Sequence, residues 1–254
     1  MIAIERKFMN IKIKTFYLAN EDIQKGDVQA QLIGYTHSFI PKSSLRSFET
    51  IQIDLLKDES ELLMEMHKTT RRQIRGALER GFTHVVIENP TDQELLDFQV
   101  FYNRFARNKR THTFNSYHMQ TMKLLREQNA LMLTYMQDKD KNILCYRIYM
   151  TDGIVALNLY SASHFRIVDN QELKRILSQA NRLLIWKSIL WYKDKGQMLY
   201  DMGGLTDDEN IRRFKLGFGG KIALAYTGYE SQSMIGKIIL RVRDLKLKLL
   251  KGIV

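Results

Sequence analysis

A lysine between two pairs of glycines is the feature of this sequence best suited to chemistry. Lys215 follows the strand-like run Tyr200-Asp201-Met202 and the pair Gly203-Gly204, and it precedes the pair Gly219-Gly220. Glycine adopts backbone conformations that other residues avoid, and it lets the chain approach a ligand closely. A lysine fixed between two such turns is well placed to meet negative charge that develops in a reaction. Taken alone, the pattern also fits a strand–loop–helix connection whose glycines are only turns.

The sequence lacks the residue patterns that other kinds of catalytic or binding site require. The sequence shows no serine–histidine–aspartate spacing, no metal-ligand cluster and no phosphate-binding P-loop, and its six histidines are dispersed. Cys145 is the single cysteine, which excludes an internal disulfide, and the apolar run around it favours a core residue over a nucleophile. We therefore predict no metal and no bound cofactor.

The composition is typical of a folded protein, and its positive charge favours polyanionic partners. Of 254 residues, 44% are hydrophobic and 26% are charged, which is an ordinary globular balance. The formal net charge of +11 favours RNA, nucleotide-linked substrates or an anionic membrane as partners. No apolar run approaches the length of a membrane span, and the amino terminus lacks the apolar stretch of a signal peptide. The expected location is the cytoplasm.

The elements that must position Lys215 follow from hydrophobic periodicity. We predict helices at residues 59–80, 91–110, 115–128 and 170–195. We predict strands at residues 11–17, 32–35, 51–55, 83–88, 131–137, 142–151 and 154–161. The turn Asp152-Gly153 is a strong hairpin signal between the last two of these strands. The run that ends in Gly203-Gly204 then adds another strand, and the order of elements predicts that it runs parallel to the strand that ends near Ser161. Lys215 lies on the next helix.

The last segment, residues 236–251, is a basic amphipathic stretch. Its first half is expected to dock on the protein core, and its second half to lie on anionic lipid, because lysine and arginine flank an apolar face. The sequence therefore predicts an anionic membrane surface as a partner, with a peripheral position on the inner face of the membrane.

Three segments resemble, in order, motifs of the FemAB-type aminoacyltransferases, a branch of the GNAT acyltransferase superfamily. The first is TRRQIRGA at residues 70–77, similar to the family's Thr-Arg-x-x-Ile-Arg-x-Ala helix. The second, a looser match, is LIWKSI at residues 184–189. The third joins YDMGG at residues 200–204 to FKLGFGG at residues 214–220, similar to the family's Tyr-Asp-x-Gly-Gly and Phe-Lys-x-x-Phe-Gly-Gly.

The resemblance implies an α+β fold, a GNAT-like mixed sheet flanked by helices. Well-known members carry two complete GNAT-like lobes, and this chain is too short for two. A reduced amino-terminal lobe is therefore expected at residues 1–90, and a GNAT-like acyltransferase domain at residues 91–254. The implied activity is amide formation, in which an aminoacyl (or acyl) group moves onto an amine of a cell-envelope precursor, from peptidoglycan or polysaccharide synthesis. The implied donor is aminoacyl-tRNA.

The resemblance also implies the site. Lys215 and Asp201 are the predicted catalytic residues: Lys215 as the cation that stabilises a tetrahedral oxyanion, and Asp201 as a residue that orients the glycine turn rather than a general base. Arg71 and Arg75 are expected to touch an anionic substrate, against the alternative of a solvated helical face. The predicted substrate-binding residues are Arg71, Arg75, Tyr160, Ser161, His164, Tyr200, Gly203, Gly204, Arg212 and Phe214.

The loop before the long helix bears on whether the acyl donor is CoA-linked. GNAT enzymes hold the pyrophosphate of CoA in a glycine-containing loop before the long helix. Residues 161–170 occupy that place here and contain no glycine, and FemAB-type enzymes likewise lack the loop. Two alternatives stay open: an acyl-CoA-dependent GNAT N-acyltransferase with an unusual pyrophosphate site, and a non-catalytic GNAT-like domain that binds RNA or membrane.

Overall fold

The computed structural model describes residues 1–8, 10–24, 26, 28–109, 111–166 and 168–251. Over this part of the chain the fold is α+β, with ten strands in a mixed sheet and seven α-helices. The predicted fold class, a GNAT-like mixed sheet flanked by helices, is confirmed.

The strands are β1 (Ile2–Phe8), β2 (Ile11–Tyr17), β3 (Leu32–Ser38), β4 (Leu45–Asp54), β5 (Thr83–Glu88), β6 (Leu131–Gln137), β7 (Ile143–Thr151), β8 (Val155–Ser163), β9 (Leu199–Gly204) and β10 (Lys221–Ser231). The helices are α1 (Glu59–Glu65), α2 (Lys68–Leu78), α3 (Asp92–Lys109), α4 (Ser116–Glu127), α5 (Gln171–Asp194), α6 (Glu209–Leu216) and α7 (Met234–Lys251). None of these helices is long and apolar enough to cross a membrane.

Internal contacts divide the chain into two compact units. The first unit holds residues 1–49 and 224–254, and the second unit holds residues 50–223. The predicted lobes, residues 1–90 and 91–254, follow a different division that rests on the family resemblance, and they stay a prediction.

The first unit contains four strands in the order β1-β2-β3-β10. β1 is antiparallel to β2, β2 is parallel to β3, and β10 is antiparallel to β3. Its small core is built around Phe16, Ile33 and Tyr35. Helix α7 belongs to this unit and follows directly from β10.

The second unit contains strands in the order β4-β9-β8-β7-β6-β5. β5 to β8 form an antiparallel meander, as predicted for the last three of them. β9 runs parallel to β8 and antiparallel to β4, which confirms the direction expected for the Tyr200-Asp201 strand. Because β8 and β9 are parallel, their carboxyl ends lie side by side.

The long helix α5 covers one face of this sheet, because its apolar stripe repeats at helical spacing. Leu177, Leu184 and Ile189 belong to a large core that also takes in Tyr149 of β7. Cys145 is fully buried in the same core, and burial raises the pKa of its thiol to about 12, as suits a core residue.

The single helix predicted at residues 59–80 is wrong, because the chain forms α1 and α2 there. Met66 is extended, with φ −70° and ψ 145°, which ends α1. His67 then caps α2, since its Nδ1 accepts a hydrogen bond from the backbone N–H of Thr69 at 3.3 Å. The every-fourth-residue pattern continued across this break, so periodicity alone did not reveal it.

Candidate functional site

The site is built where two parallel strands part. The ladder between β8 and β9 pairs Val155 with Leu199 and ends at Leu157 with Asp201. On the other side of β8, the register with β7 shifts so that Leu159 is an extra residue, a β-bulge. Beyond Leu157 the ladder between β8 and β9 ends, and backbone N–H groups along an unpaired strand edge are strong hydrogen-bond donors.

Asp201 organises the turn at the end of β9. Its carboxylate is fully buried and accepts hydrogen bonds from the hydroxyl of Thr50, the side-chain amide of Gln52 at 3.1 Å and the backbone N–H of Gly203 at 2.8 Å. These bonds are those expected of a residue that orients the glycine turn.

Gly203 is required by two constraints at that turn. Its φ is +71°, a conformation that side chains disfavour. A β-carbon there would lie 2.6 Å from the carbonyl oxygen of Asn158, well inside contact distance. The turn therefore brings the backbone of β9 against the backbone of β8 at the point where the ladder ends.

Lys215 holds the same turn from helix α6. Its ammonium donates hydrogen bonds to the carbonyls of Met202 at 2.8 Å, Gly203 at 3.0 Å and Gly204 at 2.8 Å. An ammonium has three N–H donors, and each has an acceptor here. An oxyanion would have to share one of these donors, so direct stabilisation of an oxyanion by Lys215 stays a prediction.

Opposing effects set the pKa of Lys215. Burial, followed by the guanidinium of Arg147 and, after it, the ammonium of Lys109, lowers the pKa of Lys215 to about 8. The carboxylate of Asp201 opposes that shift, because it favours the charged ammonium form. At pH 7 the side chain is mostly protonated.

Arg147 on β7 is a buried cation that sequence reasoning missed. It is only 4% exposed, and it donates to Asn158 Oδ1 at 3.2 Å, Ser161 Oγ at 2.9 Å and Asn181 Oδ1 at 2.9 Å. Its Nε has no hydrogen-bond partner, and within the described residues no carboxylate forms a salt bridge with it. An arginine inside the apolar run of a predicted central strand was the available signal.

A cleft of about 640 Å³ lies between α2, α5 and α6, and we call it the α2–α5–α6 cleft. The described residues that line it are His67, Thr69, Thr70, Arg182, Glu209, Asn210, Arg212, Arg213, Phe214, Leu216 and Gly217. Three arginines and one glutamate make its lining positive. Within the described part of the chain, no cluster of three or more histidine, cysteine or acidic side chains is placed to hold a metal ion.

Arg182 forms one wall of the cleft. Its guanidinium lies 4.8 Å from the ring centre of Phe214 and donates to the hydroxyl of Ser178 at 2.6 Å. Its Nε has no partner, and no carboxylate pairs with it among the described residues. Burial lowers the pKa of Arg182, although the group stays charged at neutral pH. Its positive charge is thus held by an aromatic face and neutral oxygens, which leaves it able to bind an anion.

The first and third motifs lie against each other. The backbone N–H of His67 donates to the carbonyl of Gly217 at 3.0 Å. A β-carbon at Gly217 would lie 2.7 Å from the hydroxyl of Thr70, and one at Gly220 would lie 2.5 Å from the carbonyl oxygen of Gln52. The glycines of the third motif therefore permit close packing of the chain on the start of α2 and on β4.

Arg71 and Arg75 lie elsewhere on α2. One terminal nitrogen of Arg71 donates to the carbonyls of Leu63, Met64 and Met66, between 2.7 and 3.2 Å, and so caps the carboxyl end of α1. Arg75 is exposed to solvent. Neither is among the described residues that line the α2–α5–α6 cleft. Their predicted contact with an anionic substrate stays a prediction.

The other predicted substrate-binding residues divide between the two faces of the sheet. Ser161 lies on the α5 face with Arg147, and Tyr200 is fully buried there, with its hydroxyl 2.8 Å from that of Tyr149. Tyr160 points to the opposite face, into an aromatic cluster with α3 and α4. His164 stacks on Phe101 of α3, with ring centres 4.0 Å apart, and burial lowers its pKa.

Comparison with known proteins gives structural matches only, since no family model and no curated protein matches the chain. FemX is similar with a TM-score of 0.63 at 13% identity, over 88% of this chain and 83% of that one. The C-terminal domain of a putative lysylphosphatidylglycerol synthetase from Agrobacterium fabrum gives 0.53 at 14% identity, over 85% and 72%. L-PGS from Bacillus licheniformis gives 0.51 at 14% identity, over 84% and 72%.

Identities of 13–14% establish a shared fold and nothing finer. That fold agrees with the strand order of the second unit, in which an antiparallel meander is followed by a long helix and a parallel strand. The chain thus has a GNAT-like fold.

Proposed function

We propose that this protein transfers an aminoacyl group from aminoacyl-tRNA to an amine of a cell-envelope precursor and so forms an amide. The observation that carries the proposal is the α2–α5–α6 cleft, which is lined by Arg182, Arg212 and Arg213 and by the two neighbours of Lys215 on α6, Phe214 and Leu216. Both substrates are anionic, and guanidinium groups match phosphate oxygens in a planar, two-pronged geometry.

The reaction makes modest demands on the protein. The acceptor amine attacks the carbonyl carbon of the aminoacyl ester, and a tetrahedral oxyanion forms. When it collapses, the new C–N bond is kept, the C–O bond to the ribose of the tRNA breaks, and the proton from the amine reaches the ribose oxygen through solvent. A single preorganised donor to the oxyanion contributes about 10²–10³ in rate.

Two groups in the structure suit that oxyanion. The edge of β8 after Leu157, where its ladder with β9 has ended, would offer backbone N–H groups, and the ammonium of Lys215 supplies positive charge at the end of β9. Because Lys215 already binds three carbonyls, we assign it first to positioning of the turn and second to electrostatic stabilisation. The buried Arg147 adds to the same positive potential.

The donor is argued from the loop before α5. Residues 161–170 carry no glycine, and His164–Arg166 form a short 3₁₀ turn; Ile167 lies outside the described residues. This disfavours a CoA pyrophosphate site of the usual kind. Titration calorimetry with CoA and acetyl-CoA checks the point: a Kd below about 10 μM, near −7 kcal/mol, returns the acyl-CoA-dependent N-acyltransferase to first place.

The activity is tested with radiolabelled aminoacyl-tRNAs and amine-bearing envelope precursors, either nucleotide-linked or lipid-linked, with the amide product identified by mass spectrometry. The names of the neighbours FemX and lysylphosphatidylglycerol synthetase fit this reaction class. Arg182→Gln is expected to raise KM at least about tenfold through loss of a charged contact. Arg72→Gln, at an exposed arginine of α2 that does not line the cleft, is the matched control.

The outcomes separate the alternatives. Amide formation that Arg182→Gln weakens and Arg72→Gln does not supports the proposal. Binding of tRNA without turnover on any precursor favours the non-catalytic GNAT-like domain. Turnover with acyl-CoA and none with aminoacyl-tRNA favours the N-acyltransferase.

A further inference from the structure

Helix α7 packs on the first unit through one face only. At Gly236 a β-carbon would lie 2.7 Å from the carbonyl oxygen of Gln31, so the helix backbone touches the chain there. Ile239 and Leu240 are half-buried on the same side. The guanidinium of Arg243 lies 5.0 Å from the ring centre of Tyr229. These contacts fix which face of α7 is turned inward, as expected for the first half of the segment.

The opposite face of α7 is apolar and exposed. Its large side chains keep more than half of their surface in solvent: Met234 73%, Ile235 61%, Ile238 58%, Val242 60% and Leu245 61%. At 100° per residue they fall within an arc about 100° wide. No other helix in the described part of the chain exposes more than two large apolar side chains. We call these five residues the α7 face.

Cations border the α7 face. Lys237 and Arg241 are exposed, and helical geometry places both at one margin of the arc. From residue 237 to residue 251 the sequence holds six lysines and arginines against one aspartate. The side chains of Asp244 and of residues 246–251 lie outside the described residues, so the second half of the predicted lipid-binding segment is represented here only by its sequence.

Charge selects the occupant of this face. An antiparallel pairing of the α7 face with a second copy of itself would bring two sets of Lys237 and Arg241 together, and like charges oppose that contact. A bilayer with anionic headgroups meets both features, because it accepts the apolar arc at the headgroup–acyl boundary and attracts the bordering cations. We propose that the α7 face docks on an anionic phospholipid bilayer, whether or not the protein is a transferase.

The test is sedimentation of the full chain with vesicles. Wild-type protein should bind vesicles that contain phosphatidylglycerol, bind pure phosphatidylcholine vesicles weakly, and lose binding as salt rises. The double variant Ile238→Glu/Val242→Glu should bind at least about tenfold more weakly, because two carboxylates replace apolar contact and repel the headgroups. Lys237→Gln/Arg241→Gln should lose about fivefold per cation.

Leu96→Glu/Val100→Glu is the matched control, since it places two glutamates four residues apart on an exposed apolar pair of α3. It should bind phosphatidylglycerol vesicles as wild type does. All variants should keep the wild-type melting temperature, because the substituted side chains are exposed.

Three results would overturn the proposal. The first is no binding of wild-type protein to phosphatidylglycerol vesicles. The second is equal binding by the α7 variant and the α3 control. The third is a wild-type dimer in sedimentation equilibrium that the α7 variant dissociates while vesicle binding is unchanged, which would identify the face as a contact between copies.

Discussion

Replacement of Lys215 by methionine tests what this lysine does. Methionine roughly keeps the side-chain volume and removes the ammonium, so the carbonyls of Met202, Gly203 and Gly204 lose their donor. Met202 and Gly203 are buried, and a buried acceptor left without a partner costs about 1–3 kcal/mol. Relief of the buried charge offsets part of that cost. We therefore expect the free energy of unfolding to fall by about 2–3 kcal/mol.

The measurement is urea unfolding at pH 7, followed by circular dichroism. A loss of this size lowers Tm by roughly 5–10 °C in a chain of this length. Lys221→Met, at an exposed lysine in the same unit, is the control and should change stability by less than about 0.5 kcal/mol. If Lys215→Met unfolds like the control, the three carbonyl bonds do not stabilise the turn. A fall in kcat with unchanged stability would then assign Lys215 to the transition state alone.

Three further predictions concern the same turn. Burial lowers the pKa of Lys215 from 10.5 to about 8, so between pH 8 and 10.5 this side chain is protonated in the unfolded chain and deprotonated in the folded one. The stability of the wild type relative to Lys215→Met should therefore rise as the pH increases above 8, which urea unfolding across that range measures. Arg147→Met removes a neighbouring positive charge, so the pKa of Lys215 measured by NMR of ¹³C-labelled lysine should increase; an unchanged value would show that Arg147 does not act on it. Gly203→Ala should cost about 2–4 kcal/mol through its φ and its contact with β8, whereas Gly153→Ala, with φ +88° and no atom within 4 Å, should cost about 1 kcal/mol; equal losses would remove the argument from close approach.

Sequence patterns were sufficient where the information is local. The meander from β6 to β8 follows from alternation and from the turn Asp152-Gly153, and α5 follows from a long apolar stripe. The parallel direction of β9 followed from the order of elements, because a strand that returns after a crossover helix lies parallel to its predecessor. β1 was not predicted, since Glu5, Arg6 and Lys7 interrupt its apolar pattern and it pairs with β2 only in the folded chain.

Partners remote in sequence were decided by tertiary structure alone. The sequence predicted Lys215 and the glycine turns as the place for chemistry, and it could not reveal that the ammonium binds the carbonyls of Met202, Gly203 and Gly204. Burial is likewise a property of the assembled fold. In the sequence, Arg147 is one basic residue of a strand; the structure shows that it is buried with no carboxylate partner among the described residues. Likewise, the sequence shows that α7 is amphipathic, and its packing at Gly236 shows which apolar side chains stay exposed. Periodicity records which residues share a face; only the folded chain determines what that face meets.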